Sequence, residues 1–219
     1  MLRSFFAVVI LIFTFDALRA QDDPDALSLR ASQLIDSTMA SLNIRAQRFN
    51  EELAKINAVK PLEITSLAKE VVPKNREKVK DFLNYLEVYR SLSGKQRQEV
   101  EDSANSLREK MPSRHQATFL KDFIEAYEMD QNAFDKYTLA LTKVFTNINA
   151  VLLFIETSKM TIQDTKLQFT DKKEYEKYSE LIEAVEKSNK RLINASAASQ
   201  KATIDASSIM QKAYGSIKK

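Results

Sequence analysis

Glycine and proline, the residues that most often interrupt regular structure, are scarce in this sequence. Only two glycines and four prolines occur in 219 residues, and apolar residues recur at steps of three and four almost everywhere. Such spacing is typical of helices, whereas half-buried strands show alternation. The sequence therefore predicts an all-α fold, an elongated antiparallel bundle of about four long amphipathic, coiled-coil-like helices without strands.

The few breaks divide the chain into long segments. They are Pro24, Pro61, Pro73, Pro112 and the polar pair Thr170-Asp171. With these residues near helix ends, we expect long helices at about 25–58, 74–111, 113–169 and 171–217, and a short connector helix at about 62–72. The second helix is weakest around Gly94, where the local sequence resembles a helix start, so we expect a kink or a division there.

Each long helix carries an apolar seam with heptad-like steps. In the first helix the seam consists of Ile35, Met39, Leu42, Ala46, Phe49, Leu53 and Ile56. In the fourth helix, alanine and serine take over the seam from Ala195 onward. Because a buried leucine or valine contributes roughly 1.5–3 kcal/mol and alanine much less, we expect the C-terminal third of this helix to hold the bundle weakly and to be its most mobile part.

A tight turn at Pro112 fixes the expected register of the second and third helices, with residue i facing about residue 225 minus i. Asp130 then lies opposite residues 95–97. Arg90, on a predicted seam position, lies opposite Asp135. We predict that these polar residues pair across the helices and fix their register, as buried polar groups do in coiled coils.

The N-terminal residues differ in character from the rest of the chain. Arg3 precedes an apolar run from Phe5 to Phe15, and an acidic segment containing Pro24 follows. The run covers about half of the ~20 residues that span a bilayer, so residues 1–20 are predicted to be a cleavable signal peptide, with an uncleaved anchor as the alternative. Residues 21–219 then form a single helical-bundle domain, exported to the periplasm or the extracellular space, with no further membrane-spanning segment.

Charge and cysteine content limit the possible partners. The 33 Lys and Arg residues nearly balance the 30 Asp and Glu residues, and the two signs alternate along every predicted helix. Nucleic-acid-binding proteins usually show a basic stripe or face, so nucleic acid is not an expected partner. Without cysteine, an exported chain has no disulfides, and its stability must come from helix packing.

Several classes of chemistry need residues that this chain lacks. Gly94 and Gly215 cannot supply a phosphate-binding loop, and His115 lies outside any metal-binding or zinc-protease pattern, so a solvated turn is its expected place. Carboxylates that could pair for acid–base work lie among lysines on expected solvent faces: Glu51 with Glu52, Glu125 with Glu128, and Glu183 with Glu186. No catalytic, cofactor-binding or metal-binding residue is predicted, and no cofactor.

Two further residue types have ordinary structural interpretations. Asn194-Ala195-Ser196 is a glycosylation sequence, but its position beside the predicted seam favours a chance occurrence. Tyrosines at helical spacing are expected to be half-buried with a hydrated tip: Tyr85, Tyr89, Tyr127, Tyr137, Tyr175, Tyr178 and Tyr214.

These observations favour a non-enzymatic exported bundle that acts as a structural, adaptor or protein-binding module, through a protein partner or self-association along its helix faces. The alternative is a lipid-binding or membrane-active bundle that lays amphipathic helices on a membrane surface. Its best inserting face is residues 138–155, although Lys143, Asn147 and Asn149 oppose full insertion. An enzyme of unknown type is the third possibility.

Overall fold

The computed structural model describes residues 24–111, 114–163 and 165–217. Four long helices packed side by side make up nearly all of this part, which confirms the all-α prediction at that level. They are α1 (Pro24–Val59), α2 (Val72–Lys110), α3 (Arg114–Thr157) and α4 (Lys172–Ile217). The connection from α1 to α2 contains one 3-10 turn, Ile64–Leu67, rather than the longer connector helix expected, and Leu67 packs into the core.

α3 is the central helix, and it packs along α2 and along α4, while α1 packs mainly on α2. The rings of Phe82 and Phe145 have centroids 4.8 Å apart, and the Ser93 hydroxyl donates to Gln131 Oε1 at 3.3 Å. Both pairs lie within two residues of the predicted register. The antiparallel register of α2 and α3 was therefore predictable from the expected turn between them.

The end of the third helix differs from the prediction of a helix to residue 169. α3 ends at Thr157, and an antiparallel hairpin of β1 (Thr161–Gln163) and β2 (Lys166–Gln168) follows, with Ile162 paired with Leu167. β-branched residues at 157, 161, 162 and 165 disfavour a further helical turn, and Thr165 has a positive φ of 60° in the turn. The expectation of no strands was wrong.

The predicted division of α2 at Gly94 is also wrong. The helix continues through Gly94, since Tyr89, Ser93 and Gln96 extend its inward-facing seam. Pro73 lies in the first turn, where its missing N–H costs no hydrogen bond. Because the seam passes through Tyr89, its neighbour Arg90 is exposed.

The two predicted polar pairs do not form among the described hydrogen bonds and ion pairs. Arg97 instead donates to Glu101 Oε1 at 2.7 Å and to Asn132 Oδ1 at 2.6 Å. Asp130 Oδ1 accepts a hydrogen bond from the Thr203 hydroxyl at 2.6 Å. The carboxylate of Asp130 therefore links α3 to α4, not to α2.

The seam of α1 is only partly as predicted. Met39 is 47% exposed and Ala46 is exposed, whereas Thr38 and Arg45 face inward. Thr38 meets its hydrogen-bonding need within the helix, because its hydroxyl donates to the Leu34 carbonyl at 2.7 Å. In both pairs, the more hydrophobic residue was expected to face the core, but the polar residue next to it does so instead.

Two predictions concern membrane segments. The predicted signal peptide, residues 1–20, lies outside the described residues. The expectation of no further membrane-spanning segment was wrong by length and composition, because Ala117–Thr157 of α3 is long and apolar enough to cross a membrane. However, 44% of the most apolar 18-residue stretch of this segment is buried inside the bundle, and the core helix of a globular protein can have the same length and composition.

Candidate functional site

An open groove runs between α1 and α4, which flank α3 without packing closely on each other. One part has a volume of about 340 Å³, and an adjoining depression has about 420 Å³. Tyr137 and Leu192 line both, so the two form one continuous groove. The α3 side chains at its floor are Tyr137, Leu141, Val144, Phe145 and Ile148. We call this surface the α1–α4 groove.

The face of α1 that carries the groove residues Leu53 and Asn57 has no charged side chain over five turns. Leu53 and Asn57 line the groove, and residues on the same helix face continue from them at steps of three and four. This face consists of Met39, Asn43, Ala46, Asn50, Leu53 and Asn57. Lys60 lies at its end, where its ammonium pairs with Glu63 at 2.7 Å. The charged side chains of α1 therefore lie on its other faces.

The α4 wall begins where the composition of that helix changes. Eleven of the 20 residues from 172 to 191 are charged, against two of the 20 from 192 to 211. Those two, Lys201 and Asp205, pair with each other at 2.5 Å. The α4 residues that line the groove are uncharged: Asn189, Leu192, Ile193, Ser196, Ala197 and Gln200. A partner that covers this wall would therefore not bury an unpaired charge.

Two large apolar side chains project from the same wall. Ile193 is 60% exposed and Ile204 is 69% exposed. Eleven residues separate them, so at about 100° per residue they lie within ~20° of each other around α4. Together with Ala197 and Gln200 they form a stripe three turns long, which we call the α4 stripe. Isolated exposed apolar residues are ordinary, but an aligned pair beside an apolar groove is typical of a binding surface.

An aromatic cluster supports the floor of the groove from below. The ring of Phe49 lies 5.1 Å from that of Phe134 and 6.0 Å from that of Tyr137, centroid to centroid. Burial raises the pKa of Tyr137 and of Tyr89, and it raises the pKa of Tyr85 to about 12. These phenols therefore stay protonated near neutral pH and supply packing and hydrogen-bond donors rather than a nucleophile.

Beyond one end of this cluster, a polar layer joins all four helices. Gln131 Oε1 accepts hydrogen bonds from Arg45 Nη2 at 3.1 Å and from Ser93 Oγ at 3.3 Å. Its amide nitrogen donates to Asp130 Oδ2 at 3.2 Å, and Asp130 in turn accepts from Thr203 on α4. The layer separates a large apolar cluster on the groove side from a smaller one around Phe123.

The groove was not among the features predicted from the sequence, although one signal for it was present. Asn43, Asn50 and Asn57 share a face with Met39 and Ala46, which is too polar for a core seam and carries no charge. Such a face fits a surface that is exposed in the free protein and covered in a complex.

The glutamates that the sequence offered for acid–base chemistry are not among the residues that line the groove. The side chain of His115 is outside the described part of the chain. Glu51, Glu125, Glu183 and Glu186 are exposed, whereas Glu128 is half-buried, and Glu52 pairs with Lys55 at 2.6 Å. Where side chains are described, no group of three or more His, Cys, Asp or Glu residues is placed to hold a metal ion. Asn194 is exposed on α4.

No protein-family model, curated protein or solved structure matches this chain. The α1–α4 groove is therefore the main basis for inferring a function.

Proposed function

We propose that this chain is exported behind a cleavable signal peptide and acts, without catalysing a reaction, as a structural, adaptor or protein-binding module. In this proposal the mature chain, residues 21–219, is one elongated helical-bundle domain. The α1–α4 groove is its binding surface, and the ligand is an amphipathic helix of a protein partner. The observation that carries the proposal is an apolar groove with two uncharged walls beside projecting isoleucines.

The shape and chemistry of the groove favour a helix over an extended peptide. An amphipathic helix binds by laying its apolar face into a groove, and here α3 supplies an apolar floor with Leu141, Val144 and Ile148. An extended peptide binds at an exposed sheet edge, and the short hairpin at 161–168 presents strands of only three residues.

The uncharged walls also define the partner's composition. Asparagine, serine and glutamine side chains on both walls can exchange hydrogen bonds with a partner at little desolvation cost, whereas an unpaired charge buried there would be costly. The expected ligand helix therefore carries an apolar stripe flanked by small or uncharged polar residues. The Lys60 ammonium at the end of the groove is already paired with Glu63, so it does not require an acidic group on the partner.

Site-specific photo-crosslinking tests this function. A benzoylphenylalanine at position 197 lies on the groove wall, and the same group at position 44 is the matched control. Ile44 is 53% exposed, half a turn around α1 from Leu53. The mature protein would be irradiated with the extracellular or envelope fraction of its source. We expect protein adducts from position 197 alone, and their loss in the presence of excess unlabelled protein.

Two outcomes would contradict the proposal. Adducts that form equally from both positions would mean that the groove has no preference for a partner. If the protein labelled at position 197 keeps its helical spectrum but gives no protein adduct, the groove is not the binding surface. Export is tested separately by sequencing the N-terminus of the protein recovered outside the cytoplasm, where cleavage after Ala20 is expected.

Lipid binding is the second candidate, and the apolar character of α3 is the observation that favours it. Leu139 and Leu153 are 53% and 42% exposed, but Val151, Leu152 and Ile155 are fully buried, so insertion requires the bundle to open. Asn147 also donates hydrogen bonds to the Ala184 carbonyl and to Ser188, and both would be lost. Flotation with neutral phosphatidylcholine vesicles and with vesicles containing phosphatidylglycerol tests this candidate, and protein that remains unbound to both would exclude it.

A further inference from the structure

We infer that the helix taken up by the α1–α4 groove is α4 of a second copy of this chain, in a symmetric dimer. The inference rests on the proposed function and names its partner. The same surface carries both a depression and the projecting residues Ile193 and Ile204. A surface with complementary features of its own is what a two-fold interface requires.

The α4 stripe has a spacing that is the same in both directions. Ile193, Ala197, Gln200 and Ile204 follow one another at steps of four, three and four. In an antiparallel pair of α4 helices centred between positions 197 and 200, Ile193 of one copy meets Ile204 of the other. Both exposed isoleucines are then covered in each copy.

The charges on α4 are compatible with this pairing. In the same register, Glu186 meets Gln211 of the other copy, and Lys190 meets Ser207. Lys201 and Asp205 already pair within one helix. Like charges facing each other would cost several kcal/mol, and in this register each charged residue from 186 to 205 faces an uncharged one.

The dimensions of the surface indicate how strong the dimer should be. The uncharged face of α1 extends over residues 39–57, and the groove wall of α4 with the α4 stripe extends over residues 189–204, which are ~27 Å and ~23 Å long at 1.5 Å per residue. Two helices each ~10 Å wide give a footprint of ~500 Å² per copy, which is below the usual size of stable interfaces and typical of weak ones. The dimer is therefore a concentration-dependent one and not an obligate one.

Sedimentation velocity of the mature chain, from Gln21 onward, tests the inference over micromolar to near-millimolar concentrations. We expect a monomer–dimer equilibrium. Ile193→Asp places a charge at the covered position and should raise the dissociation constant at least about tenfold. Ile44→Asp is the control, because it makes the same change on another face of the bundle and should leave the dissociation constant unchanged.

Cysteine crosslinking gives a second measurement that does not depend on a destabilising charge. The chain has no cysteine, so each single substitution supplies the only thiol. In an oxidised equimolar mixture, chains with Ala197→Cys and chains with Gln200→Cys should form a disulfide-linked heterodimer. Chains with Ile44→Cys in place of either partner should remain largely uncrosslinked.

The outcomes separate this inference from the function on which it rests. A monomer at all concentrations overturns the inference, as does a dimer that resists Ile193→Asp and yields no 197–200 disulfide. If photo-crosslinking from position 197 nevertheless gives adducts with another protein, the proposed function stands and its partner is a different chain. A dimer with the predicted disulfide, disrupted by Ile193→Asp alone, supports both.

Discussion

Replacing Gln131 by leucine removes the side chain that links three helices in the polar layer. Gln131 is 4% exposed, and its carbonyl oxygen accepts from Arg45 and Ser93 while its amide donates to Asp130. A hydrogen bond from a charged donor contributes about 1.5–3 kcal/mol and one from a neutral donor about 0.5–1.5 kcal/mol. Leucine adds apolar burial, which offsets part of this loss. We therefore expect Gln131→Leu to lower the free energy of unfolding by ~2 kcal/mol.

The effect of Gln131→Leu should depend on Arg45. Nε and Nη1 of Arg45 are buried without a hydrogen-bond partner, so Arg45→Met removes a poorly satisfied cation. Replacing such a group by an apolar one of similar volume is often neutral or stabilising, and we expect a change of about zero. In the double variant Ser93 loses its acceptor, and Asp130 loses one donor but keeps Thr203, which together cost about 1 kcal/mol. The two substitutions should thus be non-additive by ~1 kcal/mol.

Urea unfolding followed by far-ultraviolet circular dichroism measures all four free energies. The slope of free energy against urea should be the same in each variant, since none changes the surface exposed on unfolding. Strict additivity would refute the reasoning, because it would mean that Gln131 stabilises the bundle by packing alone. A stabilised Gln131→Leu variant would refute it as well.

Three further predictions concern single positions. Gly94→Ala should stabilise the protein by about 0.5–1 kcal/mol in thermal unfolding, because α2 is continuous there and a Cβ meets no atom within 4 Å; a loss of stability would indicate a kink. Leu152→Ala, at a fully buried position of α3, should cost about 2–5 kcal/mol, and Leu139→Ala, 53% exposed, about 0.5 kcal/mol or less; equal costs in urea unfolding would contradict the packing of α3. Burial raises the pKa of Tyr85 from 10 to about 12, so the contribution of this residue to stability is complete below pH 10 and is lost as the pH rises toward 12. Tyr85→Phe should therefore make the urea midpoint less sensitive to pH between 10 and about 12. An unchanged pH dependence of the midpoint would contradict this.

The helices of this protein were predictable where hydrophobicity and burial coincide. In α4 the expected seam is correct through Val185, Ser188 and Ala206, all buried, because the many charged residues of its first half leave one choice of phase and the second half continues it. In α1 the phase was ambiguous. Met39 and Ala46 are more apolar than Thr38 and Arg45, and only the partners on α2 and α3 decide that the polar pair faces inward.

The groove and the hairpin could not be predicted for a different reason. The groove exists because α1 packs mainly on α2 and leaves the side of α3 between α1 and α4 uncovered. A heptad pattern does not show which helices are neighbours. The hairpin consists of two strands of three residues, too short for a periodic signal. Its place is set by Leu167 and Phe169, which pack against the core.

The polar layer has a consequence for the order in which the bundle assembles. The larger apolar cluster joins the end of α1 to the start of α2, and the end of α3 to the start of α4, so many of its contacts are between segments close in sequence. Contacts of that kind form early, because little loop entropy is lost in closing them. The smaller cluster requires the distant ends of α1 and α4 near Ile35 and Met210 and should close last. We therefore expect the folding nucleus on the groove side, with the α1–α4 groove formed before both ends of the chain are in place.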